Sequence, residues 1–282
     1  MKVLFAKSIF FNAKSGTRSL SISMNQSPVH RRPSGMIIGM IEFLVIVAIV
    51  TPPLGKAESA DTPVAKASAS EEAALQGVLT AEQQAALTPD AVLELLVAGN
   101  RRFIADDLTQ RNHSRRVREA YNGQFPKAVV LSCLDSRIPV EDVFDRGIGD
   151  IFVARVAGNF VNQDILGSME FGCHVAGAKI IMVLGHTHCG AVKAAIDNVQ
   201  FGNITPMLAK IRPAVLEGRP FTGAMTSENP AYVAHVCREN VRRAVEAIRE
   251  RSKILREMET AGSLKIVGAY YDLSSGEVSL VQ

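Results

Sequence analysis

The sequence predicts an α/β fold, a mostly parallel central β-sheet of four to five strands flanked by helices. Two observations carry that expectation. The first is a set of short, continuous apolar runs rich in β-branched residues: "KAVVLS" (127–132), "DIFVAR" (150–155), "KIIMVLG" (179–185) and "LKIVGAYYDL" (264–273). They lack the alternation of a strand with one wet face, so each reads as a strand covered on both sides. The second is that helical patterns lie between them, at 164–176, 190–199, 204–217 and 227–260. Strand and helix therefore alternate, as the crossovers of a parallel sheet require. The 282 residues are 47% hydrophobic and 21% charged, enough apolar material for a sizeable core.

Residues 1–57 read as a signal or export segment. Basic residues precede the apolar run Met36 to Val50, and Pro52, Pro53 and Gly55 then break any helix. "GKA" at 55–57 offers small residues around a cleavage point. The apolar run is shorter than the roughly 20 residues that span a bilayer, and Glu42 inside it disfavours a permanent span. The expectation is export, to the periplasm in a bacterial cell, with no stable membrane span in the mature chain; the alternative is an N-terminal membrane anchor. The formal charge of +3 is misleading: residues 1–57 hold seven of the 31 basic and one of the 28 acidic residues, leaving 24 against 27, a net of −3. Such a balance gives no reason to expect a nucleic-acid partner.

Residues 58–80, rich in Ala, Ser, Glu and Thr, read as a flexible tail, and 81–282 as the folded domain. "LTPDAVLELLVAGNRRFIAD" opens with a capping Thr88 and with Pro89 in the first turn, and Val92, Leu95, Leu96 and Phe103 recur at helical spacing. "SRRVREAYNGQ" is a shorter helix, with Ser114 as its expected cap. After the last long strand, "SSG" makes a turn and "EVSLVQ" adds an edge strand.

In an open parallel sheet, ligands bind beyond the carboxyl ends of the strands. Cys133 follows the first strand, and His186 follows the third with Cys189 three residues on. If those strands are neighbours, two thiolates and one imidazole meet at one edge, a donor set suited to zinc. Three protein ligands leave a fourth position open, as catalytic zinc sites do. Zinc-bound water loses a proton near neutral pH. Asp135 has two readings: it accepts a hydrogen bond from that hydroxide while Arg137 holds it ionised, or it swings in as a fourth ligand. Plainer readings exist for each group. A Cys133–Cys189 disulfide would explain neither His186 nor the Asp135–Arg137 pair. That pair could instead be an ion pair closing a turn. Cys173 and Cys237 read as buried thiols or a bridge, and His174 and His235 as packing or surface residues. His188 could relay protons or simply bond the backbone.

The stretches "CLDSR" (133–137), "RVAGN" (155–159) and "GHTHCGAV" (185–192), with "AGNRRF" (98–103) and "CRENV" (237–241), resemble the β-class carbonic anhydrases over roughly residues 88–282. The resemblance implies that family's fold and the reversible hydration of carbon dioxide to bicarbonate and a proton. It implies one zinc per chain on Cys133, His186 and Cys189, with Asp135 and Arg137 as the catalytic dyad. It further implies that Gln124 hydrogen-bonds substrate, that Gly190 offers backbone beside it, and that Phe152, Ala157 and Phe171 line an apolar pocket. Phe171 stands where many members carry tyrosine. The chain has no tryptophan, and Val130 occupies the position where one subgroup places one in an inhibitory bicarbonate pocket, which points to the open-site subgroup. A homodimer or homotetramer sharing pocket residues is implied as well. The alternatives are a carbonyl sulfide or carbon disulfide hydrolase on the same fold, a non-catalytic zinc-binding protein, and a cysteine hydrolase using Cys133.

Overall fold

The computed structural model describes residues 77–282. The leader at 1–57 and residues 58–76 of the expected tail lie outside the described residues. Four strands run parallel: β1 (Ala128–Ser132), β2 (Ile151–Arg155), β3 (Ile180–His186) and β4 (Lys265–Tyr271). β5 (Val278–Val281) joins antiparallel at the β4 edge, giving the order β2-β1-β3-β4-β5. The fold class is as the sequence predicts, with strand bounds shifted by one or two residues.

Side chains along β1 and β3 alternate between two buried layers, as the strand period of two requires. Ala128, Val130, Ile180, Met182 and Leu184 enter one layer, while Val129, Leu131, Ile181 and Val183 enter the other. The first layer is completed from α2 (Pro89–Ile104) by Val92 and Leu96, and from α6 (Gly190–Ile196) by Val192. The second is completed by Leu166 and Met169 of α5 (Gln163–Glu170), which runs on into a π-turn at Phe171–Val175. α9 (Pro230–Arg251) serves both layers, Val233 and Cys237 in the first and Val241, Val245 and Ile248 in the second. It crosses β3 and β4 so closely that a Cβ on Gly185 or Gly268 would lie 2.7 or 2.6 Å from a Val241 methyl.

The remaining helices are α1 (Ala81–Ala85), α3 (His113–Glu119), α4 (Val140–Val143), α7 (Ile204–Leu208), α8 (Arg212–Leu216) and α10 (Lys253–Thr260). Several expectations are corrected here. The helix expected at 204–217 is two, because Pro213 lacks an amide and its ring cannot follow a preceding helical turn. The helix expected at 227–260 breaks at Ser252, which adopts an extended backbone and caps α10 through Leu255 N at 3.2 Å. Asn112, rather than Ser114, caps α3. Leu79 and Thr80, assigned to the tail from composition, are tied down: Leu79 is buried and Thr80 caps α1.

β2 is an edge strand, half-buried from Ile151 to Ala154 and exposed at Arg155, and no described strand pairs with its outer side. Beside it opens a cleft of about 1050 Å³ lined by Val129, Phe152, Leu166, Phe171 and Arg251 among others. Among the described residues no helix is long and apolar enough to cross a membrane.

Candidate metal centre

The register of the sheet builds the site. Ser132 pairs with Leu184, so Cys133 leaves β1 level with Gly185, next to His186 at the end of β3. After His186 the chain turns back through His188, whose φ of 55° is left-handed, and delivers Cys189 as the residue before α6. The donor atoms of Cys133, His186 and Cys189 then lie within 4.8 Å of one another, and all three residues are buried. The two sulfurs are 4.0 Å apart.

His186 Nδ1 lies 2.9 Å from the Thr187 carbonyl, which can only accept, so Nδ1 carries the proton. Nε2 is thereby left as a lone-pair donor, buried and without a hydrogen-bond partner. An orphaned ring nitrogen beside two thiols is costly in a dry site unless a cation takes the lone pair. The set is suited to zinc in its chemistry as well, with sulfur and imidazole donors and three protein ligands. Cys133 is pushed up to about 12 by its hydrogen bond with Cys189 and by burial. Cys133 lowers the Cys189 thiol, but the Cys237 thiol and burial outweigh that and push it up to about 12. A divalent cation is what converts such crowded thiols to thiolates.

Asp135 is gripped by Arg137. Nε donates to Oδ1 at 2.9 Å, Nη2 to Oδ2 at 2.7 Å, and the Arg137 amide also reaches Oδ1 at 3.0 Å. The Arg137 side chain holds the carboxyl well below the usual carboxylate range, and the nearby His186 acts in the same direction. Arg155, at the end of β2, donates to the carbonyls of Cys133 (2.9 Å) and Asp135 and so fastens the loop that carries both.

Residues 128–278 match the family described as Carbonic anhydrase. The chain belongs to that family. It is 34% identical to carbonic anhydrase 2 of Mycobacterium tuberculosis over 198 residues, covering 68% of this chain and 92% of the relative. The carbonic anhydrase of Mycolicibacterium smegmatis matches at 34% over 198 residues, covering 68% and 93%. Among solved structures, the β-carbonic anhydrase CafA of Aspergillus fumigatus superposes with a TM-score of 0.53 at 24% identity, covering 60% of this chain and 82% of that one. The β-carbonic anhydrase CcaA does so with a TM-score of 0.53 at 21% identity, covering 67% and 95%. The fold is therefore that of the β-class carbonic anhydrases.

Against this carbonic anhydrase frame, the remaining expected residues divide. Gly190 directly follows the last sulfur, and nothing lies within 4 Å of where its Cβ would be, so open space borders it. Ala157 precedes Gly158, whose N–H donates to Cys133 Sγ at 3.3 Å. Phe152 and Phe171 come together, with Phe171 54% exposed, but in the cleft beside β2; none of the three metal-site residues lines that cleft. Gln124 is not brought to the site within one chain. It lies before β1, in a shallow exposed depression with Tyr121 and Ile148, while Cys133 lies after β1 at the opposite edge of the sheet. All four cysteines are free and buried, so neither a Cys133–Cys189 nor a Cys173–Cys237 bridge is present. His235 stacks on Tyr232, packs at a tilt against Phe221 and bonds the Arg219 carbonyl, a packing role. His188 is exposed near Asp272. Sequence reasoning passed over Arg155, Gly158 and Asn240: "RVAGN" and "CRENV" drew notice as motifs, but nothing local marks what these residues hold.

Proposed function

We propose that this β-carbonic anhydrase interconverts carbon dioxide and bicarbonate with one zinc ion held by Cys133 Sγ, His186 Nε2 and Cys189 Sγ. The observation that carries the proposal is the convergence of three buried donor atoms, one an unpartnered ring nitrogen, beside a carboxylate held at both oxygens. Bound zinc supplies an acidified water as nucleophile near neutral pH. Asp135, kept ionised by Arg137, accepts a hydrogen bond from the nucleophile and orients its lone pair toward the carbon. The engagement of both carboxylate oxygens by Arg137 supports this task for Asp135 over closure of the metal site. Gly190 offers its backbone to the substrate and Ala157 its methyl beside the Cys133 sulfur, while Phe152 and Phe171, set in the cleft beside β2 away from this chain's own metal site, supply apolar surface to the site of a second copy.

Gln124 then serves the site of a second copy. The unpaired edge strand β2 and the exposed Phe171 in the cleft of mixed apolar and polar lining beside it support a homodimer or homotetramer, since an open sheet edge is normally covered. The relatives include a fungal enzyme whose solved structure is described as tetrameric, with a TM-score of 0.50 at 20% identity, covering 57% of this chain and 83% of that one. Export, resting on the leader at 1–57, is part of the same proposal.

Stopped-flow carbon dioxide hydration on the full chain, from about pH 6.5 to 9, with zinc measured on the same sample, tests the proposal. Zinc near one per chain with a rate that rises with pH is the expected result. Stoichiometric zinc with no hydration at any pH would overturn the hydratase reading.

A further inference from the structure

Gly158 is held on two sides. Its N–H donates to Cys133 Sγ at 3.3 Å, and its carbonyl accepts from Asn240 Nδ2 at 2.8 Å. Its φ of 82° lies in the left-handed region, and a Cβ there would sit 2.3 Å from Ile211 Cδ1. Asn159 follows with φ 39°, so two successive residues take a conformation that side chains disfavour. A turn of this kind does not aim its amides by local preference alone. Asn240 comes from α9, 82 residues further along, and is only 4% exposed. Its neighbours on α9, Cys237 and Val241, are buried apolar residues, so its amide is carried into the core to make this bond. The helix itself is seated by the close crossing of Val241 over Gly185, the residue before His186.

An N–H aimed at a metal-bound sulfur fixes the direction of its lone pairs and withdraws charge from it. Partners that orient a ligand in this way affect metal affinity as much as some ligands do. We propose that Asn240 is a positioning residue for the metal centre: it pins the Gly158 peptide so that the N–H stays on Cys133 Sγ and keeps that sulfur aimed at the place where the three donor atoms converge. The proposal rests on Cys133 being a zinc ligand.

The test uses Asn240→Leu, close in volume, and Asn240→Ala, which leaves space; both remove the donor. Ile248→Val, buried on the same helix and remote from Gly158, controls for general loosening of α9. Zinc affinity is measured by chelator competition, and the cobalt-substituted proteins are read by their sulfur-to-cobalt charge-transfer absorption. The Asn240 variants that keep the wild-type circular dichroism should bind zinc roughly 10- to 100-fold more weakly. Their charge-transfer band should move to lower energy, because a sulfur stripped of its donor gives up charge more easily. Ile248→Val should change neither. Wild-type affinity and an unmoved band in a folded Asn240 variant would overturn the proposal. In cadmium-substituted wild-type protein, a scalar coupling between the metal and the Gly158 amide proton is expected, and its absence would overturn the proposal without any variant. If instead Cys133→Ser retained full zinc affinity, the ligand assignment itself would fail, an outcome separate from either of these.

Discussion

In the proposed reaction, the role of Asp135 turns on one ion pair. A carboxylate two residues from a metal-binding sulfur can serve the nucleophile or close the metal, and the two-point grip of Arg137 favours the first. Asp135→Asn keeps the shape and loses the charge. Zinc should remain near one per chain while kcat/KM falls by about 100-fold or more; parallel metal analysis and stopped-flow assays check both, and normal turnover would remove Asp135 from the reaction. Cys189→Ser should lose zinc on dialysis, since a serine hydroxyl at neutral pH is a poor replacement for thiolate. These candidate residues were legible in the sequence because Cys133 and His186 stand at the ends of β1 and β3, with Asp135 and Cys189 within three residues of those ends, and strand ends converge on one edge of a parallel sheet. Gln124 was legible only by resemblance, and its place at the other edge could not be read without the register. Asn240 illustrates what stays hidden: its partner Gly158 is 82 residues away, and no local pattern announces a contact of that span.

Among the elements, α9 and α10 show where periodicity misleads. Apolar residues recur at helical spacing through both, so a single helix is the natural expectation for 227–260. The chain nevertheless breaks at Ser252, whose φ of −114° and ψ of 105° are extended. The reason is that Ser252 Oγ has two uses: it accepts from Leu255 N at 3.2 Å and donates to Glu170 Oε1 at 2.6 Å on α5. A serine followed by an amphipathic segment is a cap signature, and the break was available to a reader who weighted it above the period. Ser252→Ala should cost about 1–2 kcal/mol, from the lost cap and the stranded Glu170, read as a fall in urea midpoint without a change in slope. The strands were easier, because β1 and β3 are buried on both faces and each lies between helical segments.

For the whole molecule, the carboxyl edge of the sheet carries the candidate metal site, while Asp150 and Lys127, which directly precede β2 and β1 at the other edge, pair with each other and with Arg116. A second buried carboxylate, Asp145, meets Arg102 and Arg111. Burial opposes the Asp145 charge, but its bonds to Arg111, Thr109 and Arg102 prevail and lower the carboxyl from 3.8 to about 2. A carboxyl depressed on folding stabilises the protein above its unfolded value, and that contribution is lost as pH falls toward the folded one. Acid should therefore begin to draw on this pair below about pH 4 and exhaust it near pH 2. Asp145→Asn should cost about 3 kcal/mol at neutral pH, toward the low end for a broken buried pair because Arg102 is partly exposed. It should also flatten the pH dependence of the urea midpoint over that acid range.

The same two-edged layout decides how Gln124 can act. If β1 separates Gln124 from Cys133 in one chain, a glutamine that touches substrate must come from another copy. A two-fold interface exchanges the contribution both ways. Gln124→Ala and Asp135→Asn should each be impaired alone. Co-expressed, they form hybrids in which one site has an intact Asp135 from its own chain and an intact Gln124 from its neighbour, while the other site carries both lesions. With random pairing of equal amounts, about half the dimers are hybrids and about a quarter of all sites are whole. Activity recovering toward that fraction, above the average of the two parents, would show that the site is shared. Activity equal to that average would mean that each chain works alone and that Gln124 has no part in the chemistry across an interface.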